Sequence, residues 1–129
     1  MLIPDTTDRR GPLDTVYVGS ESPTWGLHVV ADGCEVPWPT HPFGPQPYDR
    51  GFHWGSRGTG AEALAWALLY SATRGNGATA GDLYQRYERD VVRDWGRWWV
   101  TTRAAILRWI GEQPGHLDGR ESADEGGEP

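Results

Sequence analysis

The residues best suited to chemistry lie in a glycine-rich stretch, Gly-Phe-His-Trp-Gly-Ser-Arg-Gly-Thr-Gly, at positions 51–60. Thr59 and Glu62 have the spacing of a capping box, which predicts a helix that begins near residue 60. The first amides of such a helix attract anions, and an arginine beside them adds charge-assisted hydrogen bonds. The stretch is therefore a candidate phosphate-binding loop, with the side chains of Trp54, Ser56, Arg57 and Thr59.

The loop lacks the signatures of the common phosphate-binding and catalytic motifs. It has no Gly-Lys-Ser/Thr, which a Walker A loop requires, and its glycines do not follow the Gly-x-Gly-x-x-Gly pattern of dinucleotide folds. The Gly-x-Ser-x-Gly of serine hydrolases is missing as well. A conformational role, in which the glycines let the turn pack beneath Trp54, is the alternative that the sequence favours.

The single cysteine and the four histidines do not indicate a metal site or a nucleophile. One cysteine excludes an internal disulfide, and the histidines at 28, 41, 53 and 116 lack the converging spacing of metal ligands. Cys34 needs a neighbouring base to act as a nucleophile, but pairing across a predicted hairpin places His28 opposite Pro37. We expect a buried, unreactive cysteine, no metal, no cofactor and no enzymatic activity.

Eight tryptophans among 129 residues are a second unusual feature. Trp98 and Trp99 are neighbours in a predicted strand, where successive side chains point to opposite faces, so one of them is expected to be exposed. Exposed tryptophan beside arginine is typical of protein-binding hot spots, and it also occurs where single-stranded bases stack. Trp25 and Trp38 are further candidates for exposure, whereas Trp66, Trp95 and Trp109 have helical spacing and are predicted to be core residues.

All twelve basic residues are arginine, and the formal net charge is −6. The last twelve residues carry a net four of these negative charges, so the rest of the chain is close to neutral. It has too little positive charge to track a phosphate backbone strongly. Another protein is therefore a better expected partner than nucleic acid. Three arginines are predicted on the outer side of the second helix, as solvated surface or as part of a binding surface: Arg86, Arg89 and Arg93.

Three short strands, at residues 15–18, 27–31 and 34–36, are predicted before the glycine-rich loop, because β-branched and aromatic residues cluster there. Asp32-Gly33 between the second and third runs is a strong hairpin signal. Residues 19–23 indicate a break between the first two strands. Five prolines between 37 and 47 predict an extended connection outside the sheet, and residues 98–100 predict a short late strand.

Three helices are predicted to cover this sheet. The first is apolar on most sides and is expected to be central. Its main apolar series is Ala61, Leu64, Ala65, Leu68, Leu69 and Ala72. The second helix is predicted from Thr79 to Gly96, and the third, capped by Thr101 or Thr102, ends before Pro114.

The whole pattern predicts an α+β fold, in which a small antiparallel sheet, built from an N-terminal meander and a late strand, is covered by three helices. The domain is expected at residues 14–113, between a flexible lead-in at 1–13 and a disordered acidic tail at 114–129. The sequence shows no signal-peptide pattern and no apolar run of membrane-spanning length. We expect a cytoplasmic protein with no membrane partner, and the oligomeric state stays open.

The chain resembles a family of small uncharacterised proteins, a domain of unknown function, from high-GC bacteria and their phages. The shared core is Phe-x-Trp-Gly-x-x-Gly-Thr-Gly at residues 52–60, followed by Leu-Ala-x-x-Leu-Leu at 64–69. The family's later Trp-x-Leu/Val-Thr is matched by Trp98 or Trp99 with Val100 and Thr101. His53, Ser56 and Ala61 depart from the family, where glutamate, tyrosine and proline are common. The resemblance covers residues 14–112, carries no activity or catalytic residue, and implies genes in phages and other mobile elements.

These observations predict a non-enzymatic protein-binding module. With the genomic context that the resemblance implies, the most concrete version is an inhibitor that blocks a host defence complex such as a CRISPR effector. The alternative is a module that binds a nucleotide or a nucleic-acid phosphate through the loop at residues 55–60.

Overall fold

The computed structural model describes residues 15–22, 26–47 and 51–114. The predicted lead-in, nearly all of the predicted tail, Trp25 and His116 lie outside the described residues. The strands are β1 (Val16–Ser22), β2 (Gly26–Ala31), β3 (Cys34–Glu35) and β4 (Trp99–Thr102). The helices are α1 (Thr40–Phe43), α2 (Thr59–Ala72), α3 (Gly77–Asp90) and α4 (Arg103–Gly111), with a 3₁₀ turn at Val92–Asp94.

The four strands form one antiparallel sheet in the order β3-β2-β1-β4. The meander, the late strand and the α+β class are therefore confirmed. Asp32 and Gly33, with φ of 50° and 87°, make the two-residue hairpin turn that the sequence predicts. The Asp32 carboxylate accepts a hydrogen bond from the Val16 amide at 3.0 Å, which ties this turn to β1.

The prediction that residues 19–23 break the first strand is wrong for residues 19–22, which continue β1 and pair with β2. Gly19 is the reason that the strand continues. The indole of Trp99 lies where a Gly19 side chain would be, so the glycine makes room for a core residue.

The core lies between one face of the sheet and α2. Tyr17, Val29 and Trp99 face it from the sheet, and almost all of α2 is buried, as its apolar pattern predicts. The Tyr17 hydroxyl shares a hydrogen bond of 2.8 Å with the hydroxyl of Ser71, and burial raises the pKa of this phenol. Helices α3 and α4 both pack on α2, so α2 is the central helix of the domain.

The helix ends differ from several predictions. The capping box at Thr59 is wrong, because Thr59 is already helical and no side chain caps the helix at Gly58. Helix α3 begins two residues before Thr79, since the Asn76 side chain accepts from the Thr79 amide at 3.1 Å. It ends at Asp90 rather than at Gly96. The cap at Thr102 is confirmed, and its hydroxyl accepts from the Ala105 amide at 3.1 Å.

The proline-rich segment is not extended throughout, because it turns at α1, where the Phe43 and Gly44 amides donate to the Pro39 and Thr40 carbonyls at 3.2 and 2.6 Å. His41 within this turn keeps an extended backbone, with φ −123° and ψ 114°. The Trp38 indole donates a hydrogen bond to the Gly44 carbonyl at 2.9 Å, closing the segment on itself. Phe43 packs its edge against Trp66 and Tyr84. The aromatic residues thus anchor this segment to α2 and α3, an effect that the spacing of the prolines does not show.

Every helix in the described segments is too short or too polar to span a bilayer.

Candidate functional site

A chain of aromatic rings fills the end of the core where β4 begins. Trp99 stacks on Trp95, with ring centres 3.9 Å apart, and meets Trp54 edge-on at 5.6 Å. Tyr87 continues the chain, packing its ring at steep angles against Trp95 and Trp109. The Trp54 indole donates to the Gly96 carbonyl at 2.7 Å. Trp54 is buried in this cluster, so its ring holds the glycine-rich loop to the 3₁₀ turn.

The glycines of the loop are required by close backbone contacts. Gly55, at φ +79°, donates its amide to the Val92 carbonyl at 3.1 Å, and a side chain there would lie 2.9 Å from the Trp95 carbonyl oxygen. At Gly60 a side chain would collide with the Gly51 carbonyl and the His53 ring. These contacts support the conformational interpretation of the loop.

The loop leaves Ser56, Arg57 and Thr59 exposed at the start of α2. The Glu62 amide makes the first bond of the helix to the Gly58 carbonyl at 3.0 Å, and the Ala61 amide shares that acceptor at 3.1 Å and is not left free. Glu62 also places a carboxylate in this turn, where it opposes the attraction of the helix end for a phosphate. The geometry therefore gives the phosphate-binding alternative little support.

The three arginines of the predicted outer face have different roles. Arg93 forms a two-pronged pair with Glu88, with N–O distances of 2.7 and 3.1 Å. The Glu88 side chain is 3% exposed and that of Arg93 is 35% exposed. The hydrogen bonds from Arg93 to this carboxylate raise the pKa of Arg93. Arg86 donates to the Gln113 side chain at 3.1 Å, whereas Arg89 makes an exposed 3.4 Å pair with Asp90.

Arg93→Ala is expected to lower the urea midpoint clearly more than Arg89→Ala, its matched control on the surface. Removing Arg93 leaves the buried Glu88 carboxylate without its counter-charge, which is far costlier than losing an exposed pair.

Glu88→Gln added to Arg93→Ala should restore part of the urea midpoint, because a neutral amide costs less to bury than an unpaired carboxylate. Equal losses for Arg93→Ala and Arg89→Ala would contradict a structural role for the Glu88 pair.

Trp99 is the first residue of β4, and Trp98 directly precedes the strand, which begins one residue later than predicted and runs to Thr102. Trp98 is 67% exposed and Trp99 is 4% exposed, so the prediction that one of the two is exposed is confirmed. Val100 follows on the outside at 51% exposed. Val18 is paired with Val100 on one side and with Val30 on the other, so the outer valine row (Val18, Val30 and Val100) crosses three strands.

The backbone of Val100 also points away from the sheet. The Asp32 amide donates to the Val16 carbonyl, and the Arg103 amide donates to the Thr15 carbonyl. Successive residues along β1 therefore form their backbone hydrogen bonds alternately with β2 and with β4, and the even-numbered residues bond to β2. Val18 therefore bonds to β2, and its partner Val100 directs its N–H and C=O toward the open side of β4. No strand lies beyond β4 in the part of the chain that the structure describes.

Cys34 is exposed, so the expectation of a buried cysteine is wrong. It lies in a two-residue strand at the edge of the sheet, where neither side chain is covered. Within the described ranges, no group of three or more His, Cys, Asp or Glu side chains lies close enough to hold a metal ion.

A groove of about 600 Å³ lies on the far side of the sheet from β4, between the β2–β3 hairpin, residues 36–41 and α2. We call it the hairpin–helix groove. Sequence reasoning does not predict it, because its walls come from three separate segments. The only local signal is the aromatic pair Trp66 and Tyr70, one helical turn apart, whose rings stack at 4.7 Å.

The described residues thus form an α+β fold with an exposed tryptophan directly before an edge strand and a separate groove. A family of unknown function, DUF6166, has a model that matches residues 17–112. The chain belongs to this family, and the match runs from β1 to the end of α4. The predicted resemblance to an uncharacterised family is confirmed at that level. Neither a curated protein nor a solved structure matches the chain.

Proposed function

We propose that this protein is a non-enzymatic protein-binding module that docks its partner on β4 and the outer valine row. The observation that carries the proposal is the exposure of Trp98, directly before the edge strand β4, and of Val100 within that strand. Tryptophan offers a large apolar area with few rotatable bonds, and it is enriched in the residues that dominate interface energies. An exposed tryptophan next to an apolar row costs solubility unless it is covered in use.

The partner chemistry that best fits this surface is an extended protein segment that adds a strand beside β4. The outward N–H and C=O of Val100 supply main-chain hydrogen bonds, and Trp98 covers alternate side chains of the incoming strand. Because β4 has only four residues, the added ladder is short. Most of the affinity then comes from the apolar contacts of Trp98 and Val100.

Charge at the rim favours an acidic residue next to that segment. Arg97 precedes Trp98, is almost fully exposed, and is held only loosely by Glu21 at 3.9 Å. An arginine at the rim of an interface steers an acidic partner and fixes its register more than it adds affinity.

The genomic context remains part of the proposal and comes from the sequence resemblance alone. We propose that the gene belongs to a phage or mobile element, and that the partner belongs to a host defence complex such as a CRISPR effector. A plasmid-interference assay in the host tests this directly. Wild-type protein should relieve interference, and Trp98→Ala should not.

Trp98→Ala is expected to weaken partner binding by about thirtyfold, which is about 2 kcal/mol, with the melting temperature nearly unchanged. A partner isolated with wild-type protein would be titrated against each variant by biolayer interferometry. Tyr70→Ala is the matched control, because it also removes an exposed aromatic ring but on α2. Equal affinity of wild type and Trp98→Ala would overturn the proposed docking surface.

Val100→Pro separates strand addition from simple apolar contact. Proline removes the outward N–H of Val100, which takes no part in the hydrogen bonds between β1 and β4. Val100→Thr keeps that N–H. We expect Val100→Pro to weaken binding more than Val100→Thr does. If both variants bind alike, the partner contacts side chains only.

The phosphate-binding alternative has its own test. A nucleotide that raises the melting temperature, with the shift lost in Arg57→Ala and at high salt, would favour the loop at residues 55–60 over β4. A protein-binding module should show no shift even at about millimolar nucleotide.

A further inference from the structure

The Trp54-Gly55 pair of the glycine-rich stretch binds the backbone that leads into β4. The Trp54 indole donates to the Gly96 carbonyl at 2.7 Å. The Gly55 amide donates to the Val92 carbonyl at 3.1 Å. The two bonds lie on either side of Trp95 in the chain. We call these two residues the Trp-Gly clamp, because they hold the chain between the 3₁₀ turn and β4.

Glycine is required at the second position of the clamp. Gly55 has φ +79°, a conformation that residues with a side chain rarely adopt. A side chain there would also lie 2.9 Å from the Trp95 carbonyl oxygen. The clamp therefore lies directly against the backbone that it holds. That backbone is fixed at one end by Val92, whose side chain is completely buried.

The segment that the clamp holds, residues 95–99, is closed by stacking of its two ends. The Trp95 ring lies on the Trp99 ring with centres 3.9 Å apart. Trp99 is buried and pairs with Gly19 in the sheet, so this stack belongs to the core. The residues between the stacked rings are exposed, and two of them, Arg97 and Trp98, are called the tip of the segment below.

The tip is bounded by a fixed point on each side. Before it, the Gly96 carbonyl is bound by Trp54, and after it, Trp99 is buried in the core. A short stretch between two fixed points has few backbone conformations. The direction in which the Trp98 side chain leaves the chain is therefore restricted. The exposed ion pair of Arg97, at 3.9 Å, adds little to this restriction.

We infer that Trp54 is a positioning residue for Trp98. Its indole N–H, bound to the Gly96 carbonyl, holds the tip in the orientation that a partner meets. A tip that is ordered before binding spares the complex the entropic cost of ordering it. This contribution to affinity rests on the proposed function, whereas the order of the tip is a property of the free protein. The clamp gives the glycine-rich stretch a role in binding without a ligand of its own.

Trp54→Phe separates positioning from core packing. Phenylalanine keeps an aromatic ring beside Trp99 and removes the N–H that binds Gly96. Trp38→Phe is the matched control, because it removes an indole N–H that binds another loop carbonyl, that of Gly44, at 2.9 Å. Urea denaturation would show that both variants are folded and would give the loss of stability in each.

The first measurement is ¹⁵N NMR relaxation of the free proteins. In wild type the backbone amides of Arg97 and Trp98 should have order parameters of about 0.85, as in rigid backbone. Trp54→Phe should lower them to below about 0.6, whereas Trp38→Phe should leave them unchanged. A purely structural role for the Trp54 hydrogen bond would lower the urea midpoint without loosening the tip.

The second measurement is a double-mutant cycle on partner affinity. In the titration that compares wild type with Trp98→Ala, Trp54→Phe should weaken binding about tenfold, the loss expected when about one molecule in ten keeps the competent orientation. Added to Trp98→Ala, the same change should have almost no further effect, because the ring that it positions is gone. Independent effects on affinity would instead multiply.

Unchanged order at the tip in Trp54→Phe would overturn the inference, and so would an equal loss of order in Trp38→Phe. Unchanged affinity of Trp54→Phe, where Trp98→Ala weakens binding, would also overturn it, as would effects of the two changes that multiply. A failure of the proposed function looks different, because Trp98→Ala would then bind as wild type does while Trp54→Phe still loosens the tip. That result would retain Trp54 as a positioning residue and remove the docking surface on β4.

Discussion

Trp99→Ala is expected to lower the free energy of unfolding by about 3–5 kcal/mol, whereas Trp98→Ala should lower it by less than about 1 kcal/mol. The two residues are adjacent and chemically identical, and they differ in burial, at 4% and 67% exposed. Trp99 stacks on Trp95 and packs edge-on against Trp54. Truncation therefore removes two aromatic contacts as well as buried apolar area.

The loss at Trp99 should be large because its site cannot collapse easily. The indole lies over Gly19, which has no side chain to move into the space that an alanine would leave. The cost of a core truncation increases with the cavity that remains. Trp99→Phe should cost much less, because it keeps an aromatic ring and removes an indole N–H that is buried without a hydrogen-bond partner in the described structure.

Urea denaturation, followed by far-ultraviolet circular dichroism, measures these differences without relying on tryptophan fluorescence. The expected order of stability is wild type and Trp98→Ala together, then Trp99→Phe, then Trp99→Ala. Similar losses for both alanine variants would mean that Trp98 is also buried in solution and would remove it from the proposed binding surface.

Local sequence signals were sufficient for the parts of the fold that depend on near neighbours. The Asp32-Gly33 turn was predictable because few dipeptides adopt positive φ at two successive positions. The central position of α2 followed from apolar residues on nearly all of its faces. That one of Trp98 and Trp99 is exposed was also predictable, but the identity of the exposed residue depends on register. The pairing of Trp99 with Gly19 sets that register.

Features that depend on distant contacts were beyond the sequence. The proline spacing around Trp38 indicates an extended segment, yet the chain turns at residues 40–43 and Phe43 packs against Trp66 of α2 and Tyr84 of α3. The hairpin–helix groove exists only because that segment packs beside Tyr70. The charge of Arg93 similarly predicts a solvent-exposed side chain. In the structure this side chain pairs with Glu88, whose carboxylate is buried.

The start of α2 was misjudged by one residue. Thr59 has the composition of a cap, but Gly58 holds the N-cap position, and its carbonyl accepts the first bonds of the helix from the Ala61 and Glu62 amides. The glycines rather than the threonine therefore determine how the chain enters α2. This difference can be measured, because α3 contains a helical glycine with open space around it.

Gly60→Ala should lower the free energy of unfolding by about 2–3 kcal/mol, whereas Gly81→Ala should raise it by about 0.5–1 kcal/mol. Both glycines are helical, so the same methyl group brings the same gain in helix propensity. At Gly81 it meets nothing within 4 Å. At Gly60 it collides with the Gly51 carbonyl and the His53 ring. Backbone cannot move aside as a flexible side chain would, so the loop must shift.

Gly60→Val should lower the free energy of unfolding more than Gly60→Ala. Valine adds two further methyl groups at a position where one methyl group already overlaps its neighbours. Thermal and urea unfolding of the four proteins, including wild type, gives the comparison directly. Trimming the imidazole with His53→Ala should recover only part of the loss in Gly60→Ala, since the Gly51 carbonyl remains. A stabilising Gly60→Ala, equal to Gly81→Ala, would show that the loop does not close on α2 in solution. Its glycines would then be free for a role such as phosphate binding.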